Sequence, residues 1–306
     1  MTRKYLLLAL KILIIAAIFG FLFYTLRYNA GELKKVEFHL SWPPFLLSCA
    51  LVFLLYITQV LGFNFILAGV ARRVPLLETG AVWFASQIAK YVPGKVMLPL
   101  VRFSMFKRRG ISIKQVTTAI YLELVCMTGG ITMIFLISSF AWIESINIPR
   151  WPYMLVVPIA LLAIHPRLLE KAINFGLILI KQEPLEIKVT YLQMILLGAW
   201  YVFGWLIYAA ACWLLMQALG DTPLALAPQA IGSFTLAWLV GFLTFLTPGG
   251  LGVREAFMIG LLSHWFPVSV STAAAFLARL QWTGMELLGA ALTIRYRPTI
   301  DPKDQA

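Results

Sequence analysis

FLTFLTPGGLGVREAF, residues 242–257, breaks an apolar stretch with Pro248, Gly249 and Gly250 and then sets Arg254 beside Glu255. Lipid satisfies neither an open backbone nor a bare charge, so this interruption must be enclosed by protein or face a watery cavity. Pro and paired glycines permit a sharp break. A helix starting after them exposes N–H groups whose dipole favours an anion. Arg254 falls in its opening turns and adds a full charge, and Glu255 is placed to neutralise Arg254 or a cation elsewhere.

The rest of the chain supports a membrane setting. Of 306 residues, 61% are hydrophobic and 12% charged, a balance no soluble domain has. The formal net charge of +12 sits at the ends of apolar segments, which is the positive-inside pattern and no sign of nucleic acid. Cys49, Cys126 and Cys212 lie within apolar spans, and His39, His165 and His264 are scattered, so neither a disulfide framework nor a metal site is expected.

The predicted fold is all-α and polytopic. Full spans are expected at roughly 5–26, 42–70, 112–140, 151–165, 189–219 and 269–295, with 166–188 as an interfacial helix. The run at 5–26 is too long for a signal h-region and reads as a retained span. Two further stretches, 79–108 and 228–265, carry the Pro-Gly breaks and are expected to form broken re-entrant hairpins. Basic residues such as Arg72, Arg73, Lys107, Arg108 and Arg109 place both termini in the cytoplasm, and Trp42, Trp142, Trp151 and Trp265 then fall at the outer interface.

A shift of about 155 positions pairs Pro93-Gly94 with Pro248-Gly249, Thr117 with Thr272, and Thr128-Gly129 with Thr283-Gly284. The order span, broken hairpin, span recurs with it, which predicts an inverted repeat of roughly 42–140 against 189–295 within one integral membrane domain, 1–306. Interrupted helices at matching places in inverted repeats point to a transport site near the midplane.

Charges cluster at both breaks. Lys90 and Lys95 flank Pro93-Gly94, and Arg102 follows Lys95 by seven residues, with Pro99 between them as a bend. A phosphate is one natural partner for such cations, although interfacial snorkelling of the two lysines is the plainer alternative. Glu123 lies mid-span, and Arg279 and Glu286 are seven apart on one helix face. Glu123 is expected to pair with Arg279, Arg254 or Lys90, and static ion pairing would explain this set as well as transport would. The candidate substrate-binding set is therefore Lys90, Lys95, Arg102, Glu123, Gly249, Gly250, Arg254, Glu255, Arg279 and Glu286. No nucleotide loop or nucleophile elbow is visible, and no cofactor or catalytic residue is assigned.

Two motifs carry a family resemblance: YVPGKVMLPLVRFSMFKRRGIS, residues 91–112, and TPGGLGVREAF, residues 247–257. They resemble the signature stretches of the lysylphosphatidylglycerol synthase transmembrane, or flippase-like, family over about residues 40–295. The resemblance implies a multi-span protein of the bacterial cytoplasmic membrane that moves lipid. In the multiple peptide resistance factor a similar domain carries aminoacylated phosphatidylglycerol outward and is joined to a soluble synthase domain. This sequence ends at Ala306 without such a domain, so the synthase activity is not expected of it. The expected partners are membrane lipids, an anionic or aminoacylated phospholipid or a polyprenyl phosphate. A homodimer through small-residue helix faces is compatible with the sequence. The alternatives are an integral-membrane transferase with Glu123 or Glu255 as base, and a non-catalytic subunit of an envelope-lipid complex.

Overall fold

The computed structural model describes residues 40–91, 97–142, 189–244 and 248–298, with isolated positions between 165 and 175. The first span, almost all of 151–188, and the Pro93-Gly94 break with Lys95 lie outside the described residues.

Eight α-helices and no strand occupy the described residues: α1 Trp42–Val70, α2 Leu76–Ala89, α3 Met97–Phe106, α4 Ile113–Ser139, α5 Tyr191–Leu219, α6 Ala227–Leu243, α7 Val253–Leu262 and α8 Val268–Thr293. The protein is an all-α polytopic membrane protein. Among the described residues four segments are long and apolar enough to cross a bilayer: α1, α4, α5 and the stretch Leu224–Leu243 that contains α6. Helices α1 and α5 are apolar all round, with Leu55 and Trp205 buried inside and Phe65, Leu192 and Leu206 exposed outside, as a span facing both protein and lipid requires.

Local chemistry marks the boundaries. Prolines in the first turn open α1 and α6, where a missing N–H costs nothing. Reciprocal capping boxes open α4, through Ser112 and Gln115, and α5, through Thr190 and Gln193. Pro99 is the third described residue of α3.

Helices α1 and α5 form the central antiparallel pair. Ser48 Oγ donates to Ala211 O at 2.7 Å, and Trp200 Nε1 donates to Thr58 O at 2.9 Å, which fixes their opposite directions. Close approach depends on glycine: a Cβ on Gly204 would stand 2.6 Å from Thr58 Oγ1.

The other helices attach to this pair with a repeated pattern. α2 packs on α3 and α6 on α7; α3 packs on α4 and α7 on α8; α2 meets α8 and α6 meets α4. At one end of the bundle Trp142 stacks edge-on against Trp265 at 5.1 Å and donates to Pro228 O, while Ser41 N bonds Ala218 O. At the other end Arg109 forms a two-pronged pair with Glu78, Arg72 reaches Arg109 O, and Arg108 reaches Pro298 O. α2 starts at the arginine end and α6 at the tryptophan end, and both finish near the centre.

The two hairpins differ in the length of their first arms. Leu224–Leu243 is 20 residues, about 30 Å of helix, and is long enough to cross alone. α2, with 14 residues, and α3 and α7, with 10 each, are too short for that.

Candidate functional site

A cavity of about 430 Å³ lies between the two hairpins, α1, α4, α5 and α8. Lys90, Arg102, Glu123, Gly249, Arg254, Arg279 and Glu286 line it, so seven of the ten residues singled out from sequence meet in one place. Gly250 and Glu255 stand just behind the wall, and Lys95 lies outside the described residues.

The turn that interrupts the second hairpin is built on backbone freedom. Gly249 and Gly250 have φ of 59° and 71°, in the left-handed region that side chains disfavour. A Cβ on Gly250 would stand 2.7 Å from Gly241 O, so the turn also packs directly on the end of α6. Helix α7 then opens with Arg254 at its second position and Glu255 at its third. Glu255 Oε2 accepts from Gly252 N at 2.7 Å and so closes one of the open N–H groups of that helix start.

Three carboxylates are each held by cations of the chain, in an arrangement that spacing did not reveal. Glu123 accepts from Trp83 Nε1 at 2.6 Å and from Arg102, whose Nε also donates to Ser86 Oγ at 3.0 Å. It does not pair with Arg279, Arg254 or Lys90: the register of α3 against α4 brings Arg102 to it first. The Arg102 guanidinium lies 4.4 Å over the Phe63 ring, and the side chain is 1% exposed. Glu286 accepts from Tyr56 Oη at 2.7 Å, Tyr91 Oη at 3.0 Å and Lys90 Nζ. Lys90 is thus drawn inward to α8 and does not snorkel to the interface. Glu255 faces Arg279 Nη1 at 3.5 Å, longer than a good hydrogen bond, and Arg279 Nη1 donates instead to Gly249 O at 3.2 Å.

Arg254 is different. Its Nη2 donates to Tyr208 Oη at 3.0 Å and its guanidinium lies 4.6 Å over the Trp282 ring. Among the described residues no carboxylate pairs with it, although the residue is only 7% exposed. Among the described residues four cations, Lys90, Arg102, Arg254 and Arg279, therefore meet three carboxylates, Glu123, Glu255 and Glu286, a formal excess of +1.

Sequence reasoning did not single out Tyr56, Tyr91 and Tyr208, or Trp83 and Trp282, which orient these charges. Their hydroxyl and indole groups within apolar helices were the available signal, because a buried N–H or O–H needs a partner. Packing explains a mid-helix aromatic equally well, so sequence alone does not separate the two. No group of His, Cys, Asp and Glu suited to a metal occurs among the described residues.

Buried charges around a cavity in a helical bundle define an integral membrane protein with an enclosed polar site. The chain belongs to the lysylphosphatidylglycerol synthase TM region family, whose profile matches residues 8–284. No curated protein matches the chain.

Proposed function

We propose that the protein translocates a lipid with a phosphate-bearing head group between leaflets of the bacterial cytoplasmic membrane. The observation that carries this reading is Arg254, a buried guanidinium on the cavity wall with no carboxylate partner among the described residues. A buried charge without a counter-charge is costly, and a phosphate supplies that charge together with acceptors for the guanidinium fork. The family match supports a lipid-related role. At about 430 Å³ the cavity is at the small end of ligand sites, so it houses a head group while acyl or prenyl tails remain in lipid.

The two halves, 42–140 and 189–295, act as an inverted repeat that rocks about the α1–α5 pair. The antiparallel α1 and α5 and the repeated helix-packing pattern support this reading. Transfer chemistry is less well served, because Glu123 is already engaged by Arg102 and Trp83, and Glu255 stands behind the cavity wall facing Arg279. In sealed proteoliposomes, labelled anionic lipid should exchange between leaflets, and Arg254→Ala should slow it about 10- to 100-fold, the weight of one charge-assisted contact. Arg254→Lys should retain part of the rate. Exchange unchanged in folded Arg254→Ala protein would sink the reading.

A further inference from the structure

We infer that the head group is a monoanionic phosphodiester whose remaining part is hydroxylated and uncharged, and that head groups bearing an ammonium are excluded. This rests on the translocation reading and goes beyond it in naming a charge class. Glu123 and Glu286 are the two carboxylates on its wall, and both are occupied, one by Trp83 and Arg102, the other by Tyr56, Tyr91 and Lys90. Glu255 stands behind the wall with Oε2 on Gly252 N, and its Oε1 has no hydrogen bond but faces Arg279 at 3.5 Å. A substrate ammonium therefore finds no vacant carboxylate among the described residues.

On the cavity wall itself, the unused charged capacity among the described residues is cationic. Arg254 has a single hydrogen bond, to a neutral tyrosine. Arg279 is 3% exposed, and its Nε and Nη2 are buried without a partner. Buried N–H groups without acceptors are rare and costly in native proteins. On one cavity wall, then, Arg279 has two buried nitrogens without an acceptor and Arg254 has no carboxylate partner, and the formal excess of the site among the described residues is one positive charge. One phosphodiester carries the matching single charge and oxygens for both arginines. A diphosphate would leave the site with surplus negative charge in a poorly solvated place, and an aminoacylated phosphodiester would return it to surplus positive charge. The cavity also presents Gln59, a buried residue whose Oε1 has no donor. That acceptor suits a head-group hydroxyl. Phosphatidylglycerol and a sugar linked by one phosphate to a polyprenol share this chemistry.

The experiment compares leaflet exchange in proteoliposomes for five labelled lipids: phosphatidylglycerol, a glycosyl-phosphoryl-polyprenol, phosphatidylethanolamine, lysyl-phosphatidylglycerol and a polyprenyl diphosphate. At least one of the first two should move about tenfold or more faster than each of the last three, and which one moves distinguishes the two sources. Arg254→Gln, which removes the excess charge, should cut the preference for phosphatidylglycerol over phosphatidylethanolamine about tenfold. Lysyl-phosphatidylglycerol or the diphosphate moving as fast as both phosphodiesters overturns the inference and leaves translocation standing. Should no lipid move, thermal melting of the detergent-solubilised protein with short-chain versions of the same head groups decides. A Tm raised by the monoanionic phosphodiesters alone keeps the charge class and removes translocation; a Tm raised equally by ammonium-bearing head groups, or by none, removes the inference.

Discussion

Arg102 and Glu123 show how a charged pair survives inside an apolar bundle. Each is nearly inaccessible and has further contacts beyond the pair: Ser86 Oγ for the arginine, Trp83 Nε1 for the glutamate, and the Phe63 ring beneath the guanidinium. Removing one partner strands the other, which typically costs about 3–5 kcal/mol, whereas neutralising both together costs far less. Arg102→Met should therefore lower thermal stability strongly, and adding Glu123→Gln should recover most of the loss. Gln is the right second change because it keeps an acceptor for Trp83. A double-mutant cycle on Tm measures the coupling, and additive losses would show that the pair does not hold α3 to α4. Arg254 should behave in the opposite way, with a small effect on Tm and a large one on lipid exchange, because no carboxylate is stranded when it is removed.

Among the elements, the second hairpin depends on its turn. Gly250 is in the left-handed region and its α-carbon packs on the carbonyl of Gly241, so a methyl group there meets backbone that has no rotamer to yield. Gly250→Ala should destabilise the hairpin by about 1–3 kcal/mol and displace Arg254 and Glu255, which begin α7 four and five residues later. Lipid exchange should fall while the helical circular dichroism remains near that of the parent protein. An Ala variant with full exchange would show that the site does not depend on this turn. The helices themselves were readable in sequence because apolar runs of 26 or more residues have few alternatives and carry their own caps: expected starts at 112 and 189 correspond to Ile113 and Tyr191. The charged residues were readable as well, since charges in apolar runs are rare. Their partners were not. Glu123 pairs with Arg102 and Lys90 with Glu286 through the rotation of each helix about its axis and the register between neighbours, neither of which seven-residue spacing within one helix determines. The expected start of the second hairpin at 228 likewise corresponds to Ala227.

At the scale of the whole molecule, two ion pairs occupy related places with opposite polarity. In one half the cation Arg102 of α3 meets the acid Glu123 of α4, and in the other the acid Glu255 of α7 meets the cation Arg279 of α8. The pair Lys90–Glu286 then ties the end of α2 in the first half to α8 in the second. This arrangement has a direction, because the bundle ends are chemically unlike. Arg72, Arg108 and Arg109 gather at one end, and Trp142 and Trp265 at the other. Basic residues are retained on the cytoplasmic side and tryptophan rings prefer the interface, so the arginine end should face the cytoplasm. Arg73 and Leu224, both exposed, mark the two ends and allow a direct check. In a background with Cys49, Cys126 and Cys212 replaced, Leu224→Cys should react with a membrane-impermeant thiol reagent added to intact cells. Arg73→Cys should react only after the membrane is opened. Labelling of both from outside would contradict the fold, since the antiparallel α1 and α5 put these positions at opposite ends. Reversed labelling would keep the fold and invert the orientation, so that the hairpin beginning with α6 would enter from the cytoplasm.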